Sequence, residues 1–213
     1  MGDRLSPLNN QLGFTLTELL VAAGLSLFVL ASIGGLFRAQ THTVKGQESR
    51  MEAHEYAMTV LDMMVREIRN TGYFPSTACD SNGGIVSASA TALSVQYDKN
   101  ANGVCSGDDE VITFAYDGTT QNVTRNTTQT LTDSNASALQ FLYYPQQTSA
   151  TPPAPYCSSP GIPSGCSGTL SANLRNVQKI TVSLTVLPRS NDSQFTGAAL
   201  TMSATADLRN HGS

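Results

Sequence analysis

Glu18 is the only charged residue between Phe14 and Phe37, in the run FTLTELLVAAGLSLFVLASIGGLF. A charge within a membrane-length apolar segment is costly and persists where it has a partner. The sequence offers one a single helical turn away. If the chain is cut after Gly13, Phe14 carries a new ammonium group. Glu18 then stands on the same helix face, four residues on. The chemistry open to that pair is charge neutralisation, within one chain or between neighbouring chains. The plainer alternative is a carboxylate at the membrane interface that reaches back to water.

A second group of oxygens lies at Asp98, Asn100, Asn102, Gly103 and Asp109. These match positions 1, 3, 5, 6 and 12 of a calcium loop, in which alternate oxygen donors converge on one ion and the glycine allows the sharp turn. Two features depart from that pattern. Position 12 is Asp where the longer Glu is usual, and Cys105 lies inside the loop. An Asn/Gly-rich turn between two strands is the alternative, and it is the favoured one. Calcium is therefore a possible cofactor, held by Asp98, Asn100, Asn102 and Asp109.

The four cysteines are Cys79, Cys105, Cys157 and Cys166. None forms a CxxC pair, and the histidines lie far from them, so zinc-ligand spacing is missing. An even count outside the cytosol reads as disulfides, with three connectivities open. Nearest-neighbour pairing, Cys79 with Cys105 and Cys157 with Cys166, is the expectation. There is no HExxH, GxSxG or P-loop motif. The chain does not read as an enzyme.

The elements that must position these residues follow from the hydrophobic pattern. Residues 14–37 form 24 positions with a single charge. As a helix they would be about 36 Å long, enough to cross a hydrocarbon core of about 30 Å. A secretory signal would have a shorter apolar stretch and a small-residue cleavage site. Past Phe37 the pattern turns amphipathic. Met51, His54, Met58, Leu61, Val65 and Ile68 are expected to form one buried stripe. Gly72 and Pro75 close the helix. Further on, alternation of period two marks half-buried, antiparallel strands: Leu93/Val95/Tyr97, Ile112/Phe114/Tyr116, Leu139/Phe141/Tyr143, Ile180/Val182/Leu184/Val186 and Leu200/Met202/Ala204/Ala206/Leu208. A long helix packed on an antiparallel sheet is an α+β plan. Residues 145–174 hold six of the nine prolines and read as a long loop, either a contact surface or a tolerated insertion.

The window Gly13-Phe14-Thr15-Leu16-Thr17-Glu18-Leu19-Leu20-Val21-Ala22 resembles the type IV prepilin signature. That resemblance implies the type IV pilin fold and a division into four parts. These are a leader peptide (1–13), a transmembrane and assembly half-helix (14–37), an amphipathic half-helix (38–71) and a β-rich head (72–213). It implies cleavage by prepilin peptidase between Gly13 and Phe14, N-methylation of Phe14, and use of Glu18 in subunit assembly. The run Arg66-Glu67-Ile68-Arg69-Asn70-Thr71-Gly72-Tyr73 is similar to the helix end of PilW-type minor pilins, with Thr71 where Ala is frequent. The implied function is a minor pilin that initiates pilus assembly or sits at the tip. The alternatives are a GspJ-like type II secretion pseudopilin and a tip adhesin or binding subunit. The implied partners are other major and minor pilins, prepilin peptidase and the inner-membrane assembly platform. The implied location is the inner membrane by a single pass, with the head in the periplasm and then in an extracellular pilus. Counting Lys/Arg near the span would put the head inside, since only Arg4 precedes it while Arg38, Lys45 and Arg50 follow. Long following domains translocate largely regardless of such counts. Only 13% of the 213 residues are charged, and the net charge of −4 argues against a nucleic-acid partner held by a basic surface.

Overall fold

The computed structural model describes residues 13–74, 82–107, 109–159, 164–189 and 197–208. The chain divides into two compact units, Met1–Lys45 and Gly46–Ser213. One helix, α1 (Leu16–Arg69), belongs to both. Gly24, Gly34, Gly35 and Gly46 all lie within it.

In the first unit α1 buries nothing. Its most apolar window has a mean hydropathy of 2.3 and is 0% buried. By length and composition it is the one helix among the described residues able to cross a membrane.

In the second unit α1 buries one face, but not the expected one. The buried positions are Gly46, Ser49, Ala53, Ala57, Val60, Leu61, Met64, Val65 and Ile68. Met51 and Met58 are exposed, as is His54. The predicted stripe advances in strict steps of three and four, which drifts around a straight helix of 3.6 residues per turn. The observed stripe, from 46 through 49, 53, 57, 60 and 64 to 68, stays on one side. Its upper half is built of small residues, which let the backbone approach its neighbours closely. There the Ser49 hydroxyl donates to the Arg189 carbonyl.

After the helix end at Arg69, Gly72 turns the chain in the left-handed region (φ 75°), a conformation glycine adopts without strain. The Gly72 N–H then donates to Gln96 O at 3.2 Å. Gly84 is required beside it, because a Cβ there would lie 2.3 Å from the Gly72 nitrogen.

Among the described residues eight strands follow, in two antiparallel sheets. Strands β1 (Ile85–Ala88), β2 (Ala92–Gln96), β3 (Val111–Asp117), β4 (Asn122–Arg125) and β5 (Gln129–Thr130) form a meander in chain order. Strands β6 (Ala136–Pro145), β7 (Val177–Val186) and β8 (Leu200–Asp207) form the second sheet. All five alternating sets seen in the sequence lie on these strands, on β2, β3, β6, β7 and β8 with one-residue overhangs at Tyr97 and Leu208. In β7, Val177, Ile180, Val182, Leu184 and Val186 are buried while the residues between them are not. The β3–β4 turn is closed by Asp117, whose carboxylate accepts the Thr120 hydroxyl and the Thr119 N–H, each at 2.8 Å. Those bonds, the Thr120 hydroxyl first, hold its carboxyl below the usual carboxylate range.

The two sheets are stitched together. Phe141 N–H donates to Ala90 O, and the Tyr143 hydroxyl donates to Ser89 O at 2.7 Å. Phe114, Phe141, Tyr143, Leu61, Met64 and Ile68 are fully buried and join both sheets to the helix in one core. Each such side chain contributes roughly 1.5–3 kcal/mol of burial. Burial also pushes the Tyr143 phenol well above its ordinary range, with the Ser89 bond partly opposing the shift. Glu67 of α1 pairs with Arg125 of β4 at 3.1 Å, both side chains being mostly buried.

The 145–174 segment is fastened to the head. Tyr156 and Leu170 are buried in the core, and Tyr156 N–H donates to Tyr143 O. Cys157 and Cys166 are joined in a disulfide. Two short 3-10 turns, Leu170–Ala172 and Leu174–Asn176, lead into β7.

Candidate functional site at the helix start

Thr15 precedes the first turn of α1, and its carbonyl accepts the Leu19 N–H at 3.2 Å. Glu18 therefore occupies the third helical position. One of its carboxylate oxygens accepts the Thr15 N–H at 3.0 Å and the Thr15 hydroxyl at 2.9 Å. The Glu18 N–H donates back to that hydroxyl at 3.3 Å. This is a capping box, in which two orphan donors of a helix start are satisfied reciprocally. Sequence reasoning misses it although its signal, Thr-x-x-Glu before an apolar run, stands at 15–18.

Gly13 and Phe14 come just before this cap. A Cβ added at Gly13 would meet nothing within 4 Å, so no packing in the described chain requires a glycine there. Phe14 is 89% exposed. The helix start thus brings together Gly13, Phe14 and Glu18, with the peptide bond after Gly13 in the open. Chemically the arrangement offers an accessible bond and a carboxylate one turn beyond it. The carboxylate is already used locally and retains lone pairs for a cation.

At the second candidate site the oxygens face backbone donors. Asp98, fully buried, accepts the Asn102 and Gly103 N–H groups at 3.2 and 2.8 Å. Asn100 Oδ1 accepts the Asn102 N–H, and Asn102 Oδ1 accepts the Val104 N–H. These are Asx-turn bonds. Asp109 pairs with Lys99 at 3.4 Å on the surface. Among the described residues no three His, Cys, Asp or Glu side chains converge on one point. Asp108 lies outside the described residues. Glu110 opposes Tyr97 across the hairpin and is buried, a placement sequence reasoning does not anticipate. Its Oε2 accepts the Ser106 N–H at 3.1 Å, and its Oε1 has no hydrogen-bond partner.

Of the cysteines, Cys157 and Cys166 are paired as expected. Cys105 is disulfide-bonded, and Cys79 lies outside the described residues.

Fold and site together define an α+β protein carrying one N-terminal helix long and apolar enough to span a membrane. No protein-family model, no curated protein and no solved structure matches the chain.

Proposed function

We propose that this chain is a structural subunit of a type IV pilus, a PilW-like minor pilin that initiates assembly or caps the tip. It is made with a leader, cut between Gly13 and Phe14, and methylated at Phe14. Residues 14–37 hold it in the inner membrane until it joins other pilins at the assembly platform, with its head on the periplasmic side. It carries out no catalysis of its own. One observation carries this reading. The carboxylate of Glu18 stands one turn beyond an open Gly13–Phe14 bond, at the start of an apolar helix that no described residue covers.

Interior glycines at 24, 34 and 35 support it. Each costs a helix about 1 kcal/mol relative to alanine, and none has a neighbour that requires it. Small residues let apolar helices pack closely against one another.

The capping box gives Glu18 a local use, so the test must separate cap from charge. Glu18→Gln keeps a side chain able to cap at that position but removes the charge. Both Glu18→Gln and Glu18→Ala should be cleaved normally and fail to enter filaments. Normal incorporation of Glu18→Gln makes Glu18 a cap and removes the assembly role. A knockout scored for both piliation and protein secretion separates a pilus subunit from a type II secretion pseudopilin.

A further inference from the structure

The outer face of the β6–β7–β8 sheet is a set of rows. At one end Tyr144, Lys179 and Asp207 stand side by side across the three strands. Next comes Leu142–Thr181–Thr205, then Gln140–Ser183–Ser203. The hydroxyls of β7 and β8 are bonded pairwise: Thr181 to Thr205 at 3.1 Å, Ser183 to Ser203 at 2.8 Å and Thr185 to Thr201 at 2.9 Å. In each pair one hydroxyl donates to the other. The second keeps its own proton, and both keep lone pairs, for a group arriving from outside.

The segment after β6 turns this face into a groove at its first row. Pro152 and Pro153 face Tyr144, Lys179, Thr181 and Asp207 around a cavity of about 490 Å³. That volume is in the range of small-molecule sites. Its chemistry is specific in three respects. Lys179, half-exposed, and Asp207, largely exposed, lie 4.0 Å apart, so the site has charged donors and acceptors but no net sign. Tyr144 is half-buried. With the two pyrrolidine rings it supplies an apolar platform. Thr181 brings the first rung of the hydroxyl ladder into the groove.

An anion would meet Asp207, and a cation would meet Lys179. A purely apolar ligand would strip water from both without replacing it. The ligand that uses every wall is neutral, has one apolar C–H face for the tyrosine, and has adjacent hydroxyls that both donate and accept. The geometry points to a binding site for a neutral saccharide in this groove, with Tyr144 as the stacking platform and Asp207, Lys179 and Thr181 as hydroxyl partners. The site is independent of the helix start and of the pilin reading.

The test uses full-length protein in a detergent without a sugar headgroup, on an array of neutral, sialylated and sulfated oligosaccharides. A proline-rich decapeptide serves as competitor. The expected result is retention of neutral oligosaccharides, weakened about tenfold or more in Tyr144→Ala and in Asp207→Asn. Asp207 is exposed and Tyr144 half-buried, and circular dichroism checks that both variants are folded. Four outcomes overturn the proposal: no neutral oligosaccharide retained, a preference for the anionic ones, equal binding by both folded variants, or displacement by the peptide. None of them bears on cleavage at Gly13.

Discussion

Between Leu16 and Phe37, α1 turns large apolar side chains outward on every face. Between Gly46 and Ile68 it buries a single face, made first of Gly, Ser and Ala and then of Leu, Met, Val and Ile. One helix therefore follows two different solvation rules. The second half gains its stability inside the chain, from the core shared with Phe114, Phe141 and Tyr143. The first half has no such source among the described residues, and it is long and apolar enough to cross a membrane. The lone carboxylate sits at the outer end of that first half. In the second half the charges lie on the open faces or, like Glu67, are paired with the head.

Substitutions should separate the halves. The largest effect on membrane insertion is expected from Leu25→Arg, which places a charge near the middle of the apolar segment and costs insertion about 2.5–3.5 kcal/mol. Carbonate extraction should release the variant from membranes, while its head unfolds at the wild-type denaturant midpoint. The converse is Phe141→Ala. It empties a fully buried position and should lower head stability by about 3–5 kcal/mol, read by denaturant unfolding, with membrane retention unchanged. If both variants lose both properties, the two halves are not independent.

A smaller effect sharpens the account of the helix–head contact. Arg125→Ala leaves Glu67 mostly buried without its cation and should cost about 1–3 kcal/mol. The double change Glu67→Leu with Arg125→Met should cost less than the single one, because no charge is stranded. A double variant less stable than the single would show that the pair contributes more than it costs to desolvate.

The smallest expected effect concerns Tyr143. Tyr143→Phe removes the bond to Ser89 O and should cost about 1 kcal/mol. Its phenol titrates above the ordinary value of 10.0 in the fold. The native state thus retains a proton that the unfolded chain gives up. The resulting stability is fully present below pH 10 and is lost as the pH rises beyond it. The alkaline limb of the wild-type stability profile should therefore be shallower in Tyr143→Phe, as followed by denaturant midpoints across that range.

The sequence makes the strands legible because period two survives in any sheet. Leu139/Phe141/Tyr143 and Ile180/Val182/Leu184 read as inward faces without knowledge of their partners. It does not reveal that β2 and β3 belong to one sheet while β6, β7 and β8 form another. Alternation assigns a face and says nothing of the neighbour. Strands β1, β4 and β5, with 4, 4 and 2 residues, are too short to show a period. The helix stripe is misread for a physical reason as well. Hydrophobicity favours Met51 and Met58, whereas close packing selects Ala53 and Ala57. At the helix start, Gly13, Phe14 and Glu18 are legible because a charge in an apolar run is conspicuous, but the same conspicuousness hides the ordinary capping use of Glu18. In the 98–110 loop the side-chain oxygens form a readable pattern. The backbone N–H groups of Asn102, Gly103 and Val104 that those oxygens accept from leave no trace in residue types.

The central claim is that the chain is made to be cut between Gly13 and Phe14 so that Glu18 stands one turn from a new amine. Intact-mass and N-terminal peptide analysis of the protein recovered from membranes and sheared filaments tests this most directly. The account predicts a chain beginning at Phe14 with one methyl group on its nitrogen. Recovery only of chains that begin elsewhere, or that keep the residues before Phe14, would contradict it.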